Sequence, residues 1–249
     1  MESLLKFPDI DYDFWAAHWT DSIGQLPVYR NKNISQFIDF KGNINDCLRD
    51  IRKIVLSEKF EKSEVLRVVD LIYSWGGKSG RMFYAETKGN RSPRKRLEES
   101  AVFSDYMDGV KLAQKGNANS IEVFKGIDGI GSSYASKHAH FWSLINKKPL
   151  VIIDSKIAGS LGYKTISDLE TVIKYDQVIE LFSNKAEQEF DDRDPTKIER
   201  ALFAFHNHYF LNDNSGWKNR SEKKNFGEAQ KLSEILFGQP RMTSKEIAE

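Results

Sequence analysis

The stretch Ile127-Asp128-Gly129-Ile130-Gly131 constrains this chain more than any other. It reads as a short hairpin between two helices. Downstream, Tyr134, Ala135, His138, Phe141, Trp142 and Ile145 recur at three- and four-residue steps, which predicts a helix over residues 132–144. Glycine permits positive φ and close approach of another molecule's backbone. The hairpin then opens a helix N-terminus, where unpaired N–H groups and the helix dipole favour an anion. Ser132 and Ser133 are expected to add an N-cap and hydroxyl donors. The ligand that suits such a corner is a nucleic-acid phosphate, gripped without reading base sequence.

The rest of the chain is read as helical too. Phe14, Trp15 and Trp19 share a helical spacing near the start. Residues 44–56 form an amphipathic helix with Ile44, Cys47, Leu48, Ile51, Ile54 and Val55 on one stripe. Residues 63–72 form another, with Ser63 as its cap. Further helices are expected over residues 97–113, 167–182, 196–210 and 226–236. Ser120 is expected to cap the first helix of the hairpin, and a short helix follows Asp154 and stops at Gly162. Residues 184–195 are acidic and read as a surface loop; residues 212–222, carrying Trp217, read as a polar loop, and the tail after Gln239 as frayed. Only residues 150–153 look extended. The fold class is all-α, a single domain over residues 1–249, with two helical lobes and a cleft between them.

After the hairpin helix comes Leu150-Val-Ile-Ile-Asp-Ser-Lys-Ile157, in which four apolar residues precede Asp154. On its own, Asp154 reads as a helix N-cap. The pattern apolar-x-Gly-apolar-Gly, helix, short loop, apolar-apolar-Asp resembles the helix-hairpin-helix DNA glycosylases. It is most similar to the bacterial branch with an 8-oxoguanine-DNA-glycosylase fold, through Ser136-Lys137 and Asp154-Ser155. The close resemblance covers the stretch from Ile121 to Leu161, with the helix-hairpin-helix at about residues 118–145, and a weaker one covers about half the chain.

The resemblance implies that Gly129, Ile130, Gly131, Ser132 and Ser133 hold a DNA phosphate, that Asp154 is the catalytic carboxylate, and that Lys137 attacks the sugar if the protein also cleaves the strand. Two positions depart from the family pattern. Asp128 stands where a Pro is usual, and Ser133 stands where many bifunctional members carry their nucleophilic Lys. Lys137 lies one turn further along the same helix face. Besides nucleophile, Lys137 reads as a phosphate contact or a surface lysine.

The segment from Tyr73 to Tyr84 has two readings. It is a helix C-cap and turn with Trp75 filling the core, or a loop that enters DNA and fills the gap left by a flipped base. The resemblance places a wedge-bearing loop here, and Trp75, Lys78 and Arg81 are its candidates. The basic run KGNRSPRKR, residues 88–96, reads as a solvated loop or as a further phosphate contact.

Composition sets outer bounds. Lys and Arg number 37 against 36 Asp and Glu, so any basic footprint must be local. Cys47 is the single cysteine, which excludes an intramolecular disulfide and a cysteine-held zinc or iron–sulfur cluster. No apolar run approaches the roughly 18 residues of a membrane span. The start, MESLLKFPDID, lacks a signal-peptide pattern, and the expectation is a soluble, cytoplasmic monomer without cofactor. His138 and His140, like His206 and His208, are two apart, a spacing that points helical side chains to different faces and argues against a metal.

The expected function is a DNA glycosylase that flips a damaged or modified base in double-stranded DNA and breaks its N-glycosidic bond. The resemblance points to 8-oxoguanine, a DNA-repair role, or to a bulky phage modification such as glucosylated hydroxymethylcytosine, an antiviral role. The alternatives are a passive helix-hairpin-helix DNA-binding module and a helical interaction domain without DNA affinity.

Overall fold

A computed structural model describes residues 5–57, 59–87 and 89–211, with residues 209–211 described by their backbone. The described residues form helices and no strands, with isolated bridges at Pro27–Asn43 and Thr87–Asn90. The chain divides into two compact units: residues 24–150 form one, and residues up to Ile23 with those from Val151 onward form the other. Helix α1 (Tyr12–Asp21) belongs to the latter. The expected helix 226–236, the loop 212–222 with Trp217 and the C-terminal tail lie outside the described residues.

In the 24–150 unit side chains cap the starts of the first two α-helices. Helix α2 (Ile44–Val55) begins where Asn43 accepts the Asp46 N–H at 2.7 Å and Asp46 accepts the Asn43 N–H at 3.1 Å. It buries Ile44, Cys47, Ile51 and Val55. Helix α3 (Lys62–Gly76) starts one residue before Ser63, and the Glu64 carboxylate, not a serine, satisfies the first N–H, that of Glu61, at 2.8 Å. From Val68 to Gly76 every residue of α3 is buried, so this helix is the centre of the unit. A 3₁₀ segment (Lys78–Tyr84), helix α4 (Pro93–Arg96) and helix α5 (Ser100–Gln114) follow. Leu97, expected inside a helix, instead ends α4 and is buried.

The hairpin consists of α6 (Ser120–Lys125), its turn and α7 (Ser132–Trp142). Asn119, not Ser120, holds the cap position of α6, and Ser120 is the buried first helical residue. Ile145 lies past the end of α7 and is exposed, so the apolar stripe of that helix stops at Trp142.

The other unit adds α8 (Ser155–Ser160), α9 (Ile166–Val172), α10 (Tyr175–Phe190) and α11 (Pro195–Leu211). The helix expected over 167–182 is two helices. A Thr165–Asp168 capping box starts α9, and Ile173 then turns extended, at φ −145°, and is buried. The acidic stretch expected as a loop from 184 is the second half of α10. Phe182 and Ala186 keep its inner face buried, while Glu180 and Glu187 pair with Arg193 on the outside. Its acidity is that of a solvated helix face, and the turn is only residues 191–194, with Asp191 left-handed at φ 51°. In α1, Trp15 and Trp19 face the core and Phe14 is exposed. Trp15 meets Phe205 of α11 edge-on at 5.8 Å.

Candidate functional site

The two hairpin glycines do different work. Gly129 has φ 80°, and a Cβ there would lie 2.5 Å from Pro93 Cβ and 3.2 Å from Phe83, so close packing within the unit demands glycine. Gly131 has an ordinary φ of −78°, and a Cβ there would meet nothing within 4 Å. Among the described residues, no atom crowds a Cβ at 131. Ile127 and Ile130 are both buried and pin the turn, and the Ile130 N–H donates to the Ile127 carbonyl at 3.0 Å. Ile130 therefore shapes the hairpin and has neither side chain nor N–H to offer a phosphate, which corrects its candidacy as a DNA contact.

Gly131 itself occupies the N-cap of α7, without a side-chain cap bond; the serines expected to cap are the first two helical residues. The Tyr134 and Ala135 N–H groups both turn back to the Gly131 carbonyl at 2.9 Å. The N–H groups of Gly131, Ser132 and Ser133 make no hydrogen bond among the described residues. Three adjacent open donors at a helix start form an anion-binding arrangement. Asp128, the acid at the turn, is ion-paired with Arg96. Beside the hairpin, a cavity of about 520 Å³ is lined by Asp105, Asp108, Glu122 and Asp128 with Arg96 as its one base. This flank of the hairpin is acidic, in contrast to the open N–H groups at the α7 start.

Lys137 is buried, at 4% exposure. Its Nζ donates to Ser133 Oγ at 2.9 Å and to the Ser133 carbonyl at 3.2 Å, and sits 5.3 Å from the Tyr134 ring centre. Next to it, His138 is a core residue. Trp142 Nε1–H donates to the Tyr106 hydroxyl at 2.8 Å, which leaves the single Tyr106 proton for His138 Nδ1, 2.9 Å away. Burial, reinforced by the Lys137 charge, lowers the His138 pKa to about 3, so the ring is neutral. His140 Nδ1 pairs with the Leu150 carbonyl at 2.7 Å.

Trp75 lies within α3 and is buried, at 9% exposure, edge-on to Phe141 at 5.1 Å. It is a core residue, which corrects its candidacy as a wedge. Lys78 and Arg81 do stand exposed on the 3₁₀ segment. Between Arg81 and Phe83, Met82 is 61% exposed, and this apolar side chain was not singled out from the sequence. The segment is held against the hairpin helix: Tyr134 donates to the Gly77 carbonyl at 3.3 Å, and the Phe83, Tyr73 and Tyr134 rings stack in a column at 4.2 and 4.3 Å.

The basic run is not simply a loop. Ser92 caps α4, and Arg94 turns inward. Its Nε and Nη2 donate to the two Asp70 oxygens at 2.6 and 2.8 Å, and Nη1 donates to Glu98 at 2.8 Å. Tyr84 adds a third donor to Asp70 at 2.7 Å. Arg91 and Lys95 face outward.

Asp154 belongs to the other unit. It is the N-cap of α8, and its Oδ1 accepts the Lys156 and Ile157 N–H groups at 3.0 and 3.2 Å. The expected short helix is present and stops at Gly162, φ 88°. Helix α8 is tied to α11: Lys156 Nζ donates to Asn207 Oδ1 at 2.5 Å and lies 4.2 Å from the Phe203 ring centre, and Ser160 Oγ donates to the Leu202 carbonyl at 2.8 Å. The described residues hold no group of three His, Cys, Asp or Glu side chains suited to a metal ion, and no described helix is long and apolar enough to cross a membrane. No protein-family model matches the chain, and neither does any curated protein or any solved structure.

Proposed function

We propose that the protein is a DNA N-glycosylase. The observation that carries this is Asp154, a carboxylate fixed by two backbone N–H groups at the start of a docked helix, directly after a buried apolar run. Breaking an N-glycosidic bond builds positive charge on the sugar, and a carboxylate held in place stabilises that charge without reorganising. It also serves as acceptor for the proton of the attacking water. The open N–H groups of Gly131, Ser132 and Ser133 suit a DNA phosphate, and the exposed Arg81 and Lys78 suit its neighbours. Met82 takes over the wedge role first given to Trp75, since apolar side chains of this kind enter base steps. Lys137 is the candidate amine for strand cleavage.

An oxidised purine and a bulky phage cytosine modification are the two substrate classes that the sequence resemblance raises. The test is mass-spectrometric detection of free base from an 8-oxoguanine duplex and from DNA of phages with modified cytosines. A freed base supports the proposal and names the substrate. DNA binding with no freed base from either supports instead the passive hairpin module, which needs neither Asp154 nor Lys137.

A further inference from the structure

Residues 151–153 belong to no helix and pair with no strand among the described residues, yet all three side chains are buried. Buried backbone donors and acceptors need partners, and here helices must supply them. The Ile152 N–H donates to Glu199 Oε2 at 2.8 Å, and the Tyr175 hydroxyl donates to the Val151 carbonyl. Glu199 is itself buried. Burial and the nearby Glu199 charge push the Tyr175 phenol well above its ordinary pKa, which keeps its hydroxyl a donor.

Glu199 starts a row of tethers along α11. At steps of three and four along the same helix come Leu202, whose carbonyl takes Ser160, then Phe203 under Lys156, and Asn207, which takes the Lys156 amine. One face of one helix therefore holds the chain at residues 152, 156 and 160, on both sides of Asp154. Three of these four tethers are hydrogen bonds of fixed direction, so they set position and not merely depth of burial.

We infer that Glu199, assisted by Tyr175, is a positioning residue for Asp154: it fixes the buried segment that leads directly into the carboxylate at the start of α8. The inference rests on the glycosylase proposal. Glu199 holds this segment as a hydrogen-bond acceptor, so glutamine, whose side-chain oxygen can accept the same N–H, replaces it in that role and alanine does not.

The experiment compares wild type, Glu199→Gln, Glu199→Ala and Tyr175→Phe in single-turnover base release from an 8-oxoguanine duplex and from phage DNA with glucosylated cytosines. DNA affinity is measured in parallel. A misplacement of about 1 Å costs roughly 100-fold in rate, and Glu199→Ala is expected to lose on that order with DNA affinity unchanged. Glu199→Gln is expected to stay near wild type and Tyr175→Phe to fall between. Equal rates in wild type and Glu199→Ala overturn the inference alone, as does a Glu199→Gln variant as slow as the alanine. If Glu199→Ala does not fold, the Tyr175→Phe rate decides: a wild-type rate overturns the inference. No base release by wild type from either DNA overturns the glycosylase proposal, and this inference with it.

Discussion

Lys137 Nζ lies 2.9 Å from Ser133 Oγ, one turn back along α7. Ser133 stands where many bifunctional members of the resembled family carry their lysine, so the chain brings an amine to that corner from a different position on the helix. If the amine serves strand cleavage, cleavage and the covalent adduct fixed by borohydride are lost in Lys137→Gln while base release is kept. An adduct of undiminished yield in the variant contradicts the assignment.

The two hairpin glycines predict opposite phenotypes. Gly129→Ala places a Cβ against Pro93 at positive φ and lowers stability by about 2 kcal/mol, read in urea unfolding. Gly131→Leu meets open space and costs only the N-cap preference for glycine, under about 1 kcal/mol. It weakens DNA binding about tenfold, alike for all sequences, as expected for a group facing phosphate. A Gly131→Leu variant that binds DNA like wild type removes the α7 start from the interface.

Arg94 and Lys95 are neighbours with unequal weight. Arg94→Met strands the buried Asp70 carboxylate and costs about 3–5 kcal/mol. Lys95→Met breaks only an exposed pair with Glu86, which solvent screens, and shifts stability far less. Thermal unfolding of the two variants side by side measures the difference; equal shifts contradict the buried network.

His138 makes the protein acid-sensitive. Its pKa falls to about 3 in the folded state, while an unfolded chain takes up the proton near pH 6.5. Between those values the unfolded state binds more protons, so stability is full above about pH 6.5 and is lost as pH falls toward 3. At pH 5 the loss from this group is about 2 kcal/mol. His138→Gln, whose side-chain oxygen can still accept from Tyr106, flattens that slope; an unchanged slope in urea titrations at pH 7.5 and 5 contradicts it.

How far the sequence carried depends on which residues set the answer. The helix stripe of α2, the Gly-Ile-Gly turn and the Asp154 cap are local patterns of spacing and turn chemistry, and they appear where spacing placed them. Trp75 stays ambiguous in the sequence because a Trp before two glycines reads equally as loop or core, and only its contact with Phe141, far along the chain, decides for the core. Arg94 was lost in a basic run for the same reason: its partner Asp70 lies in another helix. The acidic half of α10 reads as a loop because its charge masks the buried Phe182 and Ala186. Glu199 and Tyr175 carry no motif, since their role is to serve the backbone of a segment distant in sequence.

The most direct measurement is base release by Asp154→Asn beside wild type, with DNA affinity determined for both. Asparagine keeps the α8 cap, so the helix start survives while the negative charge is lost. A base freed by wild type and none by the variant, at equal DNA affinity, is the predicted result. A variant that releases base at the wild-type rate contradicts the catalytic assignment of Asp154.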